Sequence, residues 1–71
     1  MDMRKLVGRN VRRAREAAQL TQEQLADLCG HSQQYISDLE RGRRNPTVVS
    51  VFEFAQALNT TPARLLTPIE D

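Results

Sequence analysis

The chain is poor in almost everything that would point to an enzyme, a membrane protein or a disulfide-built module. Its 71 residues include one cysteine, one histidine, one tyrosine, two phenylalanines and no tryptophan. Cys29 has no partner for an internal disulfide. With His31 alone it falls short of the four Cys or His ligands that structural zinc usually takes, so no metal or other cofactor is implied. The same scarcity, with no coherent pair of carboxylates, leaves no nucleophile, base and orienting group, and speaks against an enzyme. No apolar run approaches the roughly 18 residues of a membrane span. The opening stretch MDMRKLVGRN lacks the apolar region of a signal peptide, and a reducing, cytoplasmic setting is expected. There is no repeat, low-complexity tract or linker, so a single domain is expected over residues 1–71, with its core at about 4–66. A chain this short supports only a marginal core, and helix packing or a partner chain must supply much of the stability.

Net charge is +1 and by itself says nothing of nucleic acid; its distribution says more. Arg4, Lys5, Arg9, Arg12, Arg13 and Arg15 crowd the first predicted helix, Arg41, Arg43 and Arg44 follow the third, and Glu70 and Asp71 end the chain. That asymmetry suits a polyanionic partner, although a solvated helix face explains the first cluster equally well.

Apolar spacing predicts five helices and no strand, hence an all-α fold. The first runs from Met3 to Ala18 behind Asp2 as cap, with Leu6, Val7, Val11, Ala14 and Ala18 on one stripe. Arg15 falls on that stripe and needs a partner. Thr21 with Gln24 forms a capping box opening the second helix, whose Leu25, Leu28 and Cys29 are expected to face inward, and Gly30 ends it. Ser32 caps a third helix of about residues 33–41, stopped by Gly42. Its inner side holds Tyr35, Ile36 and Leu39, with Glu40 at the inner edge as the natural partner of Arg15. Its outer side is a polar stripe of Gln33, Gln34, Ser37, Asp38 and Arg41. After Pro46, Thr47 caps a fourth helix with Val48, Val51, Phe52, Phe54, Ala55 and Leu58. Thr61 and Pro62 open a short fifth with Leu65 and Leu66 in its core contacts.

Two short helices joined by a glycine-containing turn are the general helix-turn-helix arrangement, in which the second helix enters the DNA major groove. The stretch LTQEQLADLCGHSQQYISDLERGRRNP resembles the lambda-repressor-like Cro/XRE family of bacterial and phage DNA-binding proteins. The resemblance rests on Thr21-Gln22, Ala26, Gly30, Ile36-Ser37, Leu39-Glu40-Arg41-Gly42 and Asn45-Pro46, and runs from about Leu6 to Leu66. It implies a compact five-helix domain with the motif in helices 2 and 3, and regulation of transcription, in the simplest case repression. Gln33 and Gln34 match base-reading positions, with Ser37 and Asp38 beside them; Asp38 reads a base only if it meets a cytosine donor. Gln22, Arg43, Arg44 and Asn45 match phosphate-contacting positions, Gln22 also bracing the third helix. Tyr35 either reaches a phosphate or packs its ring inward. Arg15 and Glu40 match a structural ion pair, in agreement with the stripe geometry.

A homodimer on a palindromic operator is expected, formed through Val49, Phe52, Leu65, Leu66 and Ile69, since Val49 and Phe52 put apolar surface where a polar face belongs. The alternative is an antitoxin or protein-binding adaptor that uses this surface for a different chain, such as a toxin. Cys29 reads as core and His31 as an exposed turn residue.

Overall fold

The structure, a computed structural model, describes residues 1–68 and has five helices and no strand among them. Each helix begins where a short polar side chain satisfies the free N–H groups of its first turn. Asp2 accepts from the backbone N–H groups of Arg4 and Lys5 to open α1 (Met3–Ala17). At α2 (Gln22–Cys29) the reciprocal box is complete, with Thr21 N–H donating to Gln24 Oε1 at 2.8 Å and Gln24 N–H to Thr21 Oγ1 at 3.1 Å. Ser32 caps α3 (Gln33–Glu40), Thr47 caps α4 (Val48–Ala57), and Thr61 with Pro62 behind it caps α5 (Pro62–Leu66). Gly30 closes α2 in the left-handed region at φ 70°, where any side chain would be strained. The predicted ends of the first and third helices lie one residue too far: Ala18 and Arg41 are the C-caps.

The core draws on all five helices. Val7 and Val11 of α1, Leu25 of α2, Ile36 and Leu39 of α3, Val51 and Phe54 of α4, Leu58 and Leu65 are all buried, with Phe54 the largest fully enclosed side chain. One position expected to face inward is corrected. Leu28 is 61% exposed, because α2 turns Leu25, Ala26 and, in part, Cys29 inward and leaves Leu28 outside. On α4, Val48 is 87% and Phe52 51% exposed, so only the side bearing Val51, Phe54 and Ala55 is used. The half-buried Cys29 has its thiol pKa pushed up by burial and then by the charge of Glu53, the opposite of what a reactive thiolate needs.

Two α1 residues that the sequence reading passed over hold the helices at their distances. A glycine inside a helix is worth about 1 kcal/mol less than alanine, yet Gly8 is buried in α1. A Cβ there would collide with the Leu39 carbonyl oxygen and lie 3.0 Å from that of Glu40, so its absence lets α1 press against the end of α3. Asn10, 4% exposed, donates its two amide hydrogens to the carbonyls of Leu65 and Thr67, each at 2.9 Å, with the Arg64 carbonyl at 3.4 Å. These bonds fasten α5 across α1. Asn10 lies three residues after Val7 on the apolar stripe, where a polar side chain signals a buried partner just as Arg15 does.

Candidate nucleic-acid interface

The orientation of α3 is set by charge inside the fold. Arg15 reaches from α1 and donates to Glu40 twice, Nε to Oε2 at 2.7 Å and Nη2 to Oε1 at 3.1 Å, while Nη1 donates to the Leu20 carbonyl at 2.8 Å. Gln22, at the first turn of α2, adds a third donor to the same carboxylate, Nε2 to Oε1 at 3.1 Å. The Arg15 and Glu40 side chains are 13% and 4% exposed, and among the described residues no buried side-chain nitrogen or oxygen lacks a partner. The Glu40 hydrogen bonds raise the Arg15 pKa above its ordinary value against the opposing effect of burial. One carboxylate thus ties the first turn of α2 and the far end of α1 to the last turn of α3. The ion pair read from stripe geometry is present, and Gln22 occupies the bracing position.

On the other side of α3, Gln33 and Gln34 are exposed, and Ser37 and Asp38 are half-buried. Asp38 is already engaged: Gln34 Nε2 donates to its Oδ1 at 3.1 Å, Arg44 Nε lies 4.0 Å from its Oδ2, and Arg43 N–H donates to its backbone carbonyl at 2.9 Å. Asp38 therefore connects the outer face of α3 to the basic loop that follows it. Gly42 turns that loop at φ 76°, close against the backbone of Lys5. The start of α1 thus brings a further cation beside Arg41, Arg43 and Arg44, a neighbour that chain order conceals. Arg43, Arg44 and Asn45 are all exposed.

Tyr35 sits at the seam between reading face and core. Its ring stacks on His31 at 4.3 Å between centroids with 14° between planes, both rings lie near Phe54 at 6.2 and 5.6 Å, and the Arg44 guanidinium rests 5.2 Å from the Tyr35 centroid. The turn histidine expected to be exposed is half-buried in this aromatic group. Its place one residue after Gly30 gave no hint of this, since the stacking partner comes from the following helix. Tyr35 and Asp38 together hold Arg44 over the outer edge of α3.

Away from this face, Val49 is 67%, Phe52 51% and Leu66 44% exposed. Phe52 and Leu66 also line an apolar groove of about 260 Å³ with Met3, Val7, Val48 and Val51. Leu65, expected on the same surface, is 1% exposed because its side chain is spent in the core, so it offers nothing to a partner. Ile69 lies outside the described residues. No helix among the described residues is long and apolar enough to cross a membrane.

Comparison with known proteins agrees with this geometry. The model of the helix-turn-helix family HTH_3 matches residues 11–65. An uncharacterised HTH-type transcriptional regulator of Sinorhizobium fredii is 55% identical over all of this chain and 92% of its own length. The control protein C.SmaI of Serratia marcescens is 42% identical over 94% of this chain and 80% of its own. Among solved structures, the restriction-modification controller protein C.AhdI from Aeromonas hydrophila superposes with a TM-score of 0.81 at 38% identity, over 86% of this chain and 92% of that one.

Proposed function

The chain belongs to the helix-turn-helix transcriptional regulators of the HTH_3, Cro/XRE type, and from that premise we propose that it is a cytoplasmic, sequence-specific double-stranded DNA-binding repressor acting as a homodimer on a palindromic operator. The observation that carries the reading is the division of labour on α3: Glu40 is buried under three donors, while Gln33 and Gln34 on the outer side are exposed. Such a helix meets the major groove at a fixed angle with its two amides exposed to base edges, that of Gln34 already joined to Asp38 through one N–H, and Ser37 stands beside them. Arg43, Arg44 and Asn45 supply phosphate contacts, with Gln22 and the Tyr35 hydroxyl as neutral donors at the margin.

The exposed apolar side of α4 and α5 supports self-association through Val49, Phe52 and Leu66, with Ile69 adjoining in the sequence. Two copies related by a twofold axis would place their recognition helices roughly 34–36 Å apart, one turn of the duplex. The same surface equally suits a different chain, as in an antitoxin that binds its toxin. Sedimentation of the purified protein alone and its behaviour when co-expressed with the product of a neighbouring gene separate the two.

Selection of bound duplexes from a random pool tests the main reading. The expected result is an enriched palindrome in which Gln34→Ala relaxes one base pair per half-site at a loss of about 1–3 kcal/mol. A pool that stays random after selection would overturn it.

A further inference from the structure

Asp38 presents an apparent contradiction, a carboxylate on the face offered to a polyanion. Its surroundings resolve it. Unpaired beside phosphates it would repel them and would resist losing its water, so in a closed interface it keeps whatever donors it has. The donor in place is Gln34 Nε2 at 3.1 Å, with the Arg44 guanidinium 4.0 Å away as a compensating charge.

A glutamine amide can present either its NH2 or its oxygen to a base, and a free Gln34 could choose. An ionised carboxylate only accepts, so the amide group facing Asp38 has to be the NH2. Gln34 stands four residues before Asp38, one helical turn, the spacing at which side chains meet. Its oxygen is therefore not the group turned to Asp38, and it is left for a base together with the remaining N–H. That acceptor-and-donor pattern complements adenine, which offers the N6 donor and the N7 acceptor. It opposes guanine, whose O6 and N7 both accept.

We propose that Asp38 is a positioning residue for specificity: without touching a base, it fixes the polarity of the Gln34 amide and so makes the protein favour adenine over guanine at the base pair Gln34 reads. The proposal rests on the reading of Gln34 as a base contact.

The test compares relative affinities for all four base pairs at each operator position, at fixed salt, for the wild type, Gln34→Ala, Asp38→Ala and the double variant. Asp38 is half-buried, and thermal unfolding of each variant verifies that the fold is intact. In Asp38→Ala the freed amide can turn its NH2 outward, so guanine is accepted at the Gln34 position. The adenine preference there should fall from the roughly 5- to 150-fold typical of a bidentate contact to a few-fold. The same base pair should be affected in Gln34→Ala, and the double variant should be no less selective than Gln34→Ala alone. Loss of selectivity at a different base pair would make Asp38 a base reader in its own right and overturn the proposal. So would an Asp38→Ala preference equal to wild type while Gln34→Ala changes its base pair, which leaves the reading of Gln34 standing. Should Gln34→Ala itself leave every preference unchanged, the base contact and the proposal fall together.

Discussion

The two faces of this small domain treat polar and apolar groups in opposite ways. Where α2 and α3 meet α1, charge is taken inside and closed off: Glu40 has three side-chain hydrogen bonds within the fold and Arg15 spends its donors on Glu40 and Leu20. Where α4 and α5 meet solvent, apolar side chains are left outside, with Val48, Val49, Phe52 and Leu66 all exposed. The first face is complete in one chain. The second is the surface that the proposed dimer would cover. A buried ion pair is weak evidence for net stability, because desolvation offsets much of its attraction, but a bidentate pair permits few geometries. In the proposed function the charged side would govern angle, and the apolar side would govern association.

The sharpest way to break this comparison is to remove one member of the buried pair. Arg15→Ala leaves Glu40 buried without its cation and should lower stability by about 3–5 kcal/mol in urea unfolding. The double variant Arg15→Met with Glu40→Leu should recover most of that stability yet bind the operator poorly. If it bound as well as wild type, the pair would not be setting the angle. Next in size, Val49→Ser with Phe52→Ser should leave the unfolding free energy within about 0.5 kcal/mol of wild type. It should weaken operator binding on the order of a hundredfold as the two half-sites lose their linkage. A variant that sediments like wild type would show that the open face is not the joint.

Gly8→Ala tests the closed face without touching charge. The new methyl meets backbone carbonyls that cannot swing aside, and a loss of about 1–3 kcal/mol is expected in thermal unfolding. The smallest effect belongs to Arg44→Ala, which should weaken all DNA sequences alike and reduce the slope of log affinity against log salt by about one unit. An unchanged slope would remove Arg44 from the phosphate contacts.

What was legible in the sequence and what was not divides along the reach of the interactions. All five helix starts, the turn at Gly30 and the partnership of Arg15 with Glu40 could be read because caps act over three residues and a charge on an apolar stripe announces its need. Leu28 is exposed where it is expected inside, because helical spacing identifies an apolar side without saying how much of it another helix covers. Leu65 is expected both in the core and on the dimer surface, and only the core role holds, for the same reason. Gly8 had a local signal, an unfavoured glycine inside a helix, but its reason lies in the carbonyls of Leu39 and Glu40, which no local pattern displays. The His31 stack is the clearest limit, since its rings come from a turn and two different helices.

Asn10 gives the domain an order of assembly. Its amide closes loops of 54 to 57 residues, whereas the α2–α3 hairpin is built from contacts between neighbours in the chain. Short-range contacts form first because less chain entropy is lost in closing them. During synthesis the DNA-reading hairpin can take shape while α1 waits for α5 to emerge from the ribosome. Until Leu65 and Thr67 offer their carbonyls, Asn10 keeps its amide in water and the first helix has nothing to hold at its far side. The earliest-made helix is therefore fastened twice, to α3 through Arg15 and Glu40 and to α5 through Asn10, and a nascent chain stopped before α5 would have only the first of these ties.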